Sequence, residues 1–217
     1  MTRVFEFIRS IPKTIFFNLR YLPFHQAVCL PIFVSHRVWL KQMGGSVLVT
    51  GSTPGTVRIG FGDIGIFDRQ KARSIWEVRG AVEFSGRARL GHGCKISVKG
   101  KLVFGDNVQI TAETAIVAHQ QISFGRNVLV SWDVLIMDTD LHVIRDDGGK
   151  IINSPKVVSI GDSVWIGCSV SILKGVKVAN GVIVGAATTL TRSVTTERSC
   201  VGGSPPRVLK EHVTWEI

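Results

Sequence analysis

The segment Asp138-Thr139-Asp140-Leu141-His142 holds the side chains needed to take a proton from a hydroxyl. An imidazole titrates near physiological pH, so in its neutral form it can accept that proton as the oxygen begins to attack. Asp138 and Asp140 can orient the ring or bind further hydroxyls, and alternation alone does not say which of them faces it. Asp133, nine residues before the histidine, offers another acceptor, with a solvated turn as the equal alternative. These polar residues stand where an apolar rhythm stops: His142 lies six after Ile136, at a position the rhythm would give to an aliphatic residue.

That rhythm defines the elements that must carry them. Ile160, Ile166, Ile172, Val178, Val184 and Leu190 recur at every sixth position, and a second row (Val158, Val164, Val170, Val176, Val182, Val194) runs in step, broken once by Thr188. Neither a helix of period 3.6 nor an isolated strand of period 2 repeats in this way. A coil of short strands does, because each hexad supplies one strand and one corner and like positions stack from coil to coil. Earlier frames carry the same beat: Phe84, Leu90 and Ile96; then Val98, Phe104, Ile110 and Ile116; then Phe124, Val130 and Ile136. The two-residue shifts between frames are what extra corner residues produce. Ile136 and Ile160 are 24 residues apart, a multiple of six, although the intervening 141–156 is polar and has no beat. This predicts a loop thrown out from one corner and rejoined in register, the kind of place where sites are built.

The written hexads, Ile160-Gly161-Asp162-Ser163-Val164-Trp165, Ile166-Gly167-Cys168-Ser169-Val170-Ser171 and Val184-Gly185-Ala186-Ala187-Thr188-Thr189, resemble the hexapeptide-repeat acyltransferases, within them the sugar O-acetyltransferases and the acyltransferases of surface-polysaccharide synthesis. The resemblance covers roughly 80–210. It implies an all-β fold, a left-handed parallel β-helix with three strands per coil, and a homotrimer with sites where subunits meet. It implies acetyl transfer from acetyl-CoA to a hydroxyl of a sugar or glycan, with His142 as general base at the family's matching place and Asp133 where the family commonly carries an amide that contacts the acceptor. For the donor it implies Trp165, Gly167, Cys168, Ala186, Thr191, Arg192 and Arg207, with the two arginines supplying charge for phosphates. A backbone N–H near Gly167 or Cys168 is the expected oxyanion donor. Two departures stand out: Gly185-Ala186-Ala187 replaces Gly-Ala-Gly, and Gly203-Ser204-Pro205-Pro206-Arg207 replaces Gly-Asn-Pro-Ala followed by a basic residue. A methyl at Ala187 would narrow a donor groove.

Three regions are expected: a helical and extended arm over 1–45, punctuated by Pro12, Pro23 and Pro31; the β-helix over 46–196, with the loop at 141–156; and a tail over 197–217 that ends in a short capping helix at Arg207–His212. Cys29, Cys94, Cys168 and Cys200 form no CxxC pair, which favours a reducing compartment, the cytoplasm. The net charge is +10, and 1–45 hold six Lys/Arg against one Glu, so this fifth of the chain carries +5. With Phe5, Phe7, Phe16, Phe17, Tyr21 and Phe24 interleaved, the arm suits either packing on the β-helix or contact with anionic lipid at the inner membrane face. No nucleic-acid module accompanies the charge. The rival readings are N-acetylation of an amino sugar or nucleotide sugar, a zinc hydratase like the γ-type carbonic anhydrases using His92, His119 and His142, and a silent scaffold. No metal is expected for the transferase.

Overall fold

The computed structural model describes residues 2–68 and 72–216, without the side chains of Thr2 and Arg3; the expectations that touch residues 1, 69–71 and 217 lie outside the described residues. Among the described residues the strands form three sheets of nine, seven and six. Sheet I begins with Ile32–Val34 and Val57–Ile59, and includes Leu129–Val130, Trp165–Ile166, Ile183–Val184 and Cys200–Gly202. Sheet II runs from Trp39–Met43 through Leu135–Met137 and Ser171–Ile172 to Thr189–Leu190, and sheet III from Ser46–Val49 through Val158–Ile160 to Lys177–Val178. The chain visits I, II and III in turn and every coil-to-coil pairing is parallel, which makes a three-sided parallel β-helix, of the left-handed class that the hexads imply.

Inward side chains fill the prism as the beat requires. Phe84, Phe104 and Phe124 stack with ring centroids 5.0 and 5.2 Å apart, near the spacing of adjacent strands. Ile160, Ile166, Ile172, Val178, Val184 and Leu190 are all buried. The frame shifts have the expected cause: Phe84, Phe104 and Phe124 pair at intervals of twenty, whereas Ile160 and Val178 pair at eighteen. The extra pairs, Arg79-Gly80, Lys99-Gly100 and His119-Gln120, all sit at the II–III corner, where Gly80 approaches Gly100 too closely for a side chain.

Two expectations are corrected. The β-helix begins at Ile32, because Ile32–Val34 and Trp39–Met43 already pair with the next coil, so the arm ends well before residue 45. The tail residues Arg207–Lys210 form a strand instead of a helix, antiparallel to Cys200–Gly202. Six residues cannot nucleate a stable helix alone, whereas the open edge of the last coil offers backbone partners. The described residues 60–68 and 72–74, on the I–II corner between Val57–Ile59 and Ile75–Val78, have no signal in the hexad pattern.

The N-terminus is the helix α1 (Thr2–Tyr21), followed by a single turn, α2 (Phe24–Ala27). α1 lies along the free edge of Ile32–Val34 and presents it with polar side chains. Asn18 Nδ2 donates to Ile32 O at 2.7 Å while Ile32 N donates to Asn18 Oδ1 at 3.2 Å. Val34 N donates to Thr14 Oγ1 at 3.0 Å, and His36 N to Ser10 Oγ at 3.0 Å. Lys13 Nζ adds bonds to the carbonyls of His36 and Val38; burial, with Arg73 nearby, holds this amine below the usual lysine range. The spacing 10, 14, 18 places three polar groups on one helix face, where they substitute for a missing strand.

Candidate active site

The loop opens at the II–III corner, between Leu135–Met137 and Val158–Ile160. Asp138 explains why it can leave without unravelling the stack. In the two coils before it, one carbonyl serves both corner N–H groups: Val98 O accepts from Arg79 and Gly80, and Ala118 O from Lys99 and Gly100. Asp138 is the next residue in this column, twenty after Ala118, and its carboxylate takes over the carbonyl's role. Oδ1 accepts from His119 N at 2.7 Å and Oδ2 from Gln120 N at 2.8 Å. The side chain is fully buried, so this aspartate holds the corner and presents no oxygen to a sugar.

Beyond it the loop is exposed, and His142 stands on it with its ring toward solvent. Its backbone is held from both sides: His142 N donates to Asp140 O at 2.7 Å, and Asn153 Nδ2 donates to His142 O at 2.7 Å and to Asp140 Oδ2 at 2.9 Å. Lys174, at the same corner one coil on, pairs with Asp140 and reaches Asn153 O at 3.0 Å. The hydrogen bonds from Lys174 and Asn153 hold the Asp140 carboxyl below its usual range. Asp140 therefore clasps the loop through Lys174 and Asn153, two residues the hexad pattern gives no reason to select. His119 lies at this corner one coil before the loop; burial and then Lys99 push its imidazole below the usual histidine range, against the pull of Asp138.

Asp133 lies at the other end of the same sheet II strand, on the I–II corner. Gly93, Glu113, Asp133, Ser169 and Ala187 all adopt positive φ at this turn in successive coils. Asp133 is exposed, and Ser169 Oγ of the next coil donates to its Oδ2 at 2.9 Å. Most of the donor residues gather on this side. Gly167 is wedged under the next coil, where a Cβ would fall 2.8 Å from Ala186 N and Val184 O, whereas at Gly185 a Cβ would meet nothing closer than Val201 O at 3.3 Å. Ala186 and Ala187 are exposed, Cys168 is half-buried, and Arg207 pairs across from Gly202 on the coil beyond. Gly167 N is spent on Val184 O at 2.8 Å, which removes it as oxyanion donor; Cys168 N, among the described residues, donates to no protein acceptor. Trp165 is fixed by a bond from its Nε1 to Ser131 Oγ at 3.3 Å and by Trp215 of the tail, with ring centroids 6.1 Å apart. Thr191 and Arg192 lie apart from this group, on the II–III corner with His142.

The three histidines of the zinc reading are separated: His92 is buried near Phe67 on the I–II corner, while His119 and His142 belong to the II–III corner. Among the described residues no three His, Cys, Asp or Glu side chains converge as a metal set. Cys94 is buried, and burial pushes its thiol up to about 12, so it is a core residue and no nucleophile.

Residues 158–192 match the bacterial transferase hexapeptide family (six repeats). The chain is 27% identical over 146 residues to WbbJ of Escherichia coli (strain K12), which carries the name of a lipopolysaccharide biosynthesis O-acetyl transferase; the match covers 61% of this chain and 73% of that one. It is 34% identical over 123 residues to the polysialic acid O-acetyltransferase of Neisseria meningitidis, covering 56% of this chain and 55%, about half, of that enzyme. Among solved structures, the polySia-specific acetyltransferase NeuO superposes with a TM-score of 0.64 at 21% identity, covering 83% of this chain and 78% of that one.

Proposed function

We propose that this chain, a hexapeptide-repeat acyltransferase, moves the acetyl group of acetyl-CoA to a hydroxyl of a cell-surface glycan, with His142 as general base. The observation that carries the reading is a solvent-facing histidine on a loop whose backbone is clasped by Asp140, Asn153 and Lys174. His142 takes the proton of the sugar hydroxyl as its oxygen attacks the thioester carbon. Cys168 N–H receives the charge that develops on the carbonyl oxygen. The new C–O bond forms, the C–S bond breaks, and the thiolate departs. Asp133 keeps one carboxylate oxygen for an acceptor hydroxyl, Arg207 attracts phosphates, and Arg192, on the histidine corner, does so for a donor held by a facing subunit.

The distances favour an oligomer. From Ser169 to Lys174 the chain crosses the width of sheet II in five residues, about 17 Å of extended strand. The cluster around Cys168 and the histidine loop lie at the two ends of that face. Transfer needs reacting atoms about 3–3.5 Å apart, which supports a reading in which the histidine corner of one subunit faces the donor corner of another. A cyclic trimer repeats that contact three times and closes. A reduced cytoplasmic setting at the membrane face suits four free thiols and a basic N-terminus.

The test follows free thiol released from acetyl-CoA with mono-, oligo- and nucleotide sugars, wild type beside His142→Ala. The variant is expected to lose at least about 10²-fold in turnover, the lower range of general-base help, while CoA binding stays unchanged. An unaltered rate overturns the role of His142. Release with amino sugars alone moves the reading to N-acetylation.

A further inference from the structure

The helix α1 is amphipathic in the reverse of the usual sense. Its polar residues Ser10, Thr14 and Asn18 point inward and are consumed by the edge strand and its continuation, and Phe17 is buried against Tyr21 and Trp76. Its outward side is hydrocarbon: Val4, Phe5, Ile8, Ile11, Ile15, Phe16 and Leu19 are 40–67% exposed. At 100° per residue, Val4, Ile8, Ile11, Ile15 and Leu19 form one stripe, with Phe5 and Phe16 on its flank and Arg9 and Arg20 along the margin beyond them. Phe24 (74% exposed) and Val28 (55%) continue it past the helix end. A helix of twenty residues with such a face leaves in water apolar surface whose burial would be favourable.

We infer that this face is an interfacial anchor that lies in the surface of an anionic bilayer, with the β-helix standing on it. This deepens the membrane-face placement proposed above. The charge selects the occupant: of the six Lys/Arg in the first 45 residues, Lys13 is spent on the His36 and Val38 carbonyls and Lys41 on Glu77, whereas Arg9 and Arg20 border the stripe, and Glu6 is the single acidic residue of the segment. Basic margins beside aliphatic and aromatic side chains match a headgroup layer over acyl chains. No described helix is long and apolar enough to cross a membrane, so α1 would lie on the surface. Because α1 caps the first coil and His142 lies near the fifth and sixth, the histidine stands about 20–25 Å above the first coil. A glycan attached to lipid reaches that height within a few sugar units. A cyclic trimer with its axis along the prisms would set three such helices at one end, so that each reinforces the others by effective concentration.

The experiment uses the full chain with vesicles of phosphatidylglycerol and phosphatidylethanolamine, or of phosphatidylcholine alone. Wild type is expected to pellet with the anionic vesicles and to be released by salt. Ile8→Glu with Ile15→Glu, both outward and free of the edge strand, should lower the partition coefficient by at least about tenfold with an unchanged unfolding midpoint. Arg9→Gln should weaken binding to anionic vesicles alone. Equal pelleting of wild type and the double variant, or no binding by wild type, overturns the anchor. So does a self-association abolished by the same substitutions, which would make a second copy the occupant. Thiol release with a soluble sugar reports the catalytic reading separately, and either result can fail without the other.

Discussion

Removing the Asp138 carboxylate strands two backbone N–H groups, those of His119 and Gln120, at a corner the chain has just left. Each buried group without a partner costs about 1–3 kcal/mol, so Asp138→Ala should lower stability by roughly 2–6 kcal/mol, read as a shift of the denaturant midpoint. Asp138→Asn keeps one oxygen for one of the two donors and should recover part of the loss. His142→Ala is the contrast, because its exposed ring holds nothing in place within the subunit; it should leave the midpoint where it is and remove turnover. Both residues belong to one polar run, and their types suggest a general base in one and an orienting or hydroxyl-binding group in the other. What separates them is a difference of register: Asp138 is twenty residues after Ala118 and inherits a structural acceptor's place, whereas His142 has already left the column.

The hexad beat marks the strands from Phe84 onward because each beat residue points into a column of like residues, and the same rule locates the loop by the interval between Ile136 and Ile160. Ile32–Val34 and Trp39–Met43 have no such signature. They form the first coil by pairing with a neighbour on one side, and on the other the Ile32–Val34 edge is satisfied by side chains of α1. Ser10, Thr14 and Asn18, scattered among aromatics, give no hint in sequence that they face a strand. Arg207–Lys210 is equally silent, since its conformation depends on the open edge at Cys200–Gly202. The cap has a direct consequence. Asn18→Leu removes the partner of both Ile32 N–H and Ile32 C=O, and should destabilise the protein by about 2–4 kcal/mol. Faster amide exchange at Ile32, and aggregation through the bared edge, would report the loss at the right place. Unchanged exchange there would mean that water replaces the asparagine without cost.

At the scale of the molecule, the separation of the two corners makes a claim about where one site ends and the next begins. His142 rises from the II–III corner, and Gly167, Cys168, Ala186 and Arg207 gather toward the I–II corner, with the width of sheet II between them. If transfer occurs within one subunit, a chain lacking the histidine and a chain lacking the donor groove are both inactive, and mixing them restores nothing. If each site joins the histidine of one subunit to the groove of the next, mixed trimers contain interfaces with one intact half from each. Random assembly of His142→Ala with Ala186→Trp, whose indole would project from an exposed position into the donor groove, then restores about a quarter of the wild-type sites. The second variant needs its own control, because a new indole beside Cys168 could also disturb the subunit contact; its oligomeric state and unfolding midpoint must match wild type before the mixture is read. Recovery near that fraction after co-expression, with each homotrimer silent, places catalysis at the subunit interface. Complete silence of well-folded mixed trimers would require both halves in one chain, and so a movement of the loop across the full face of sheet II.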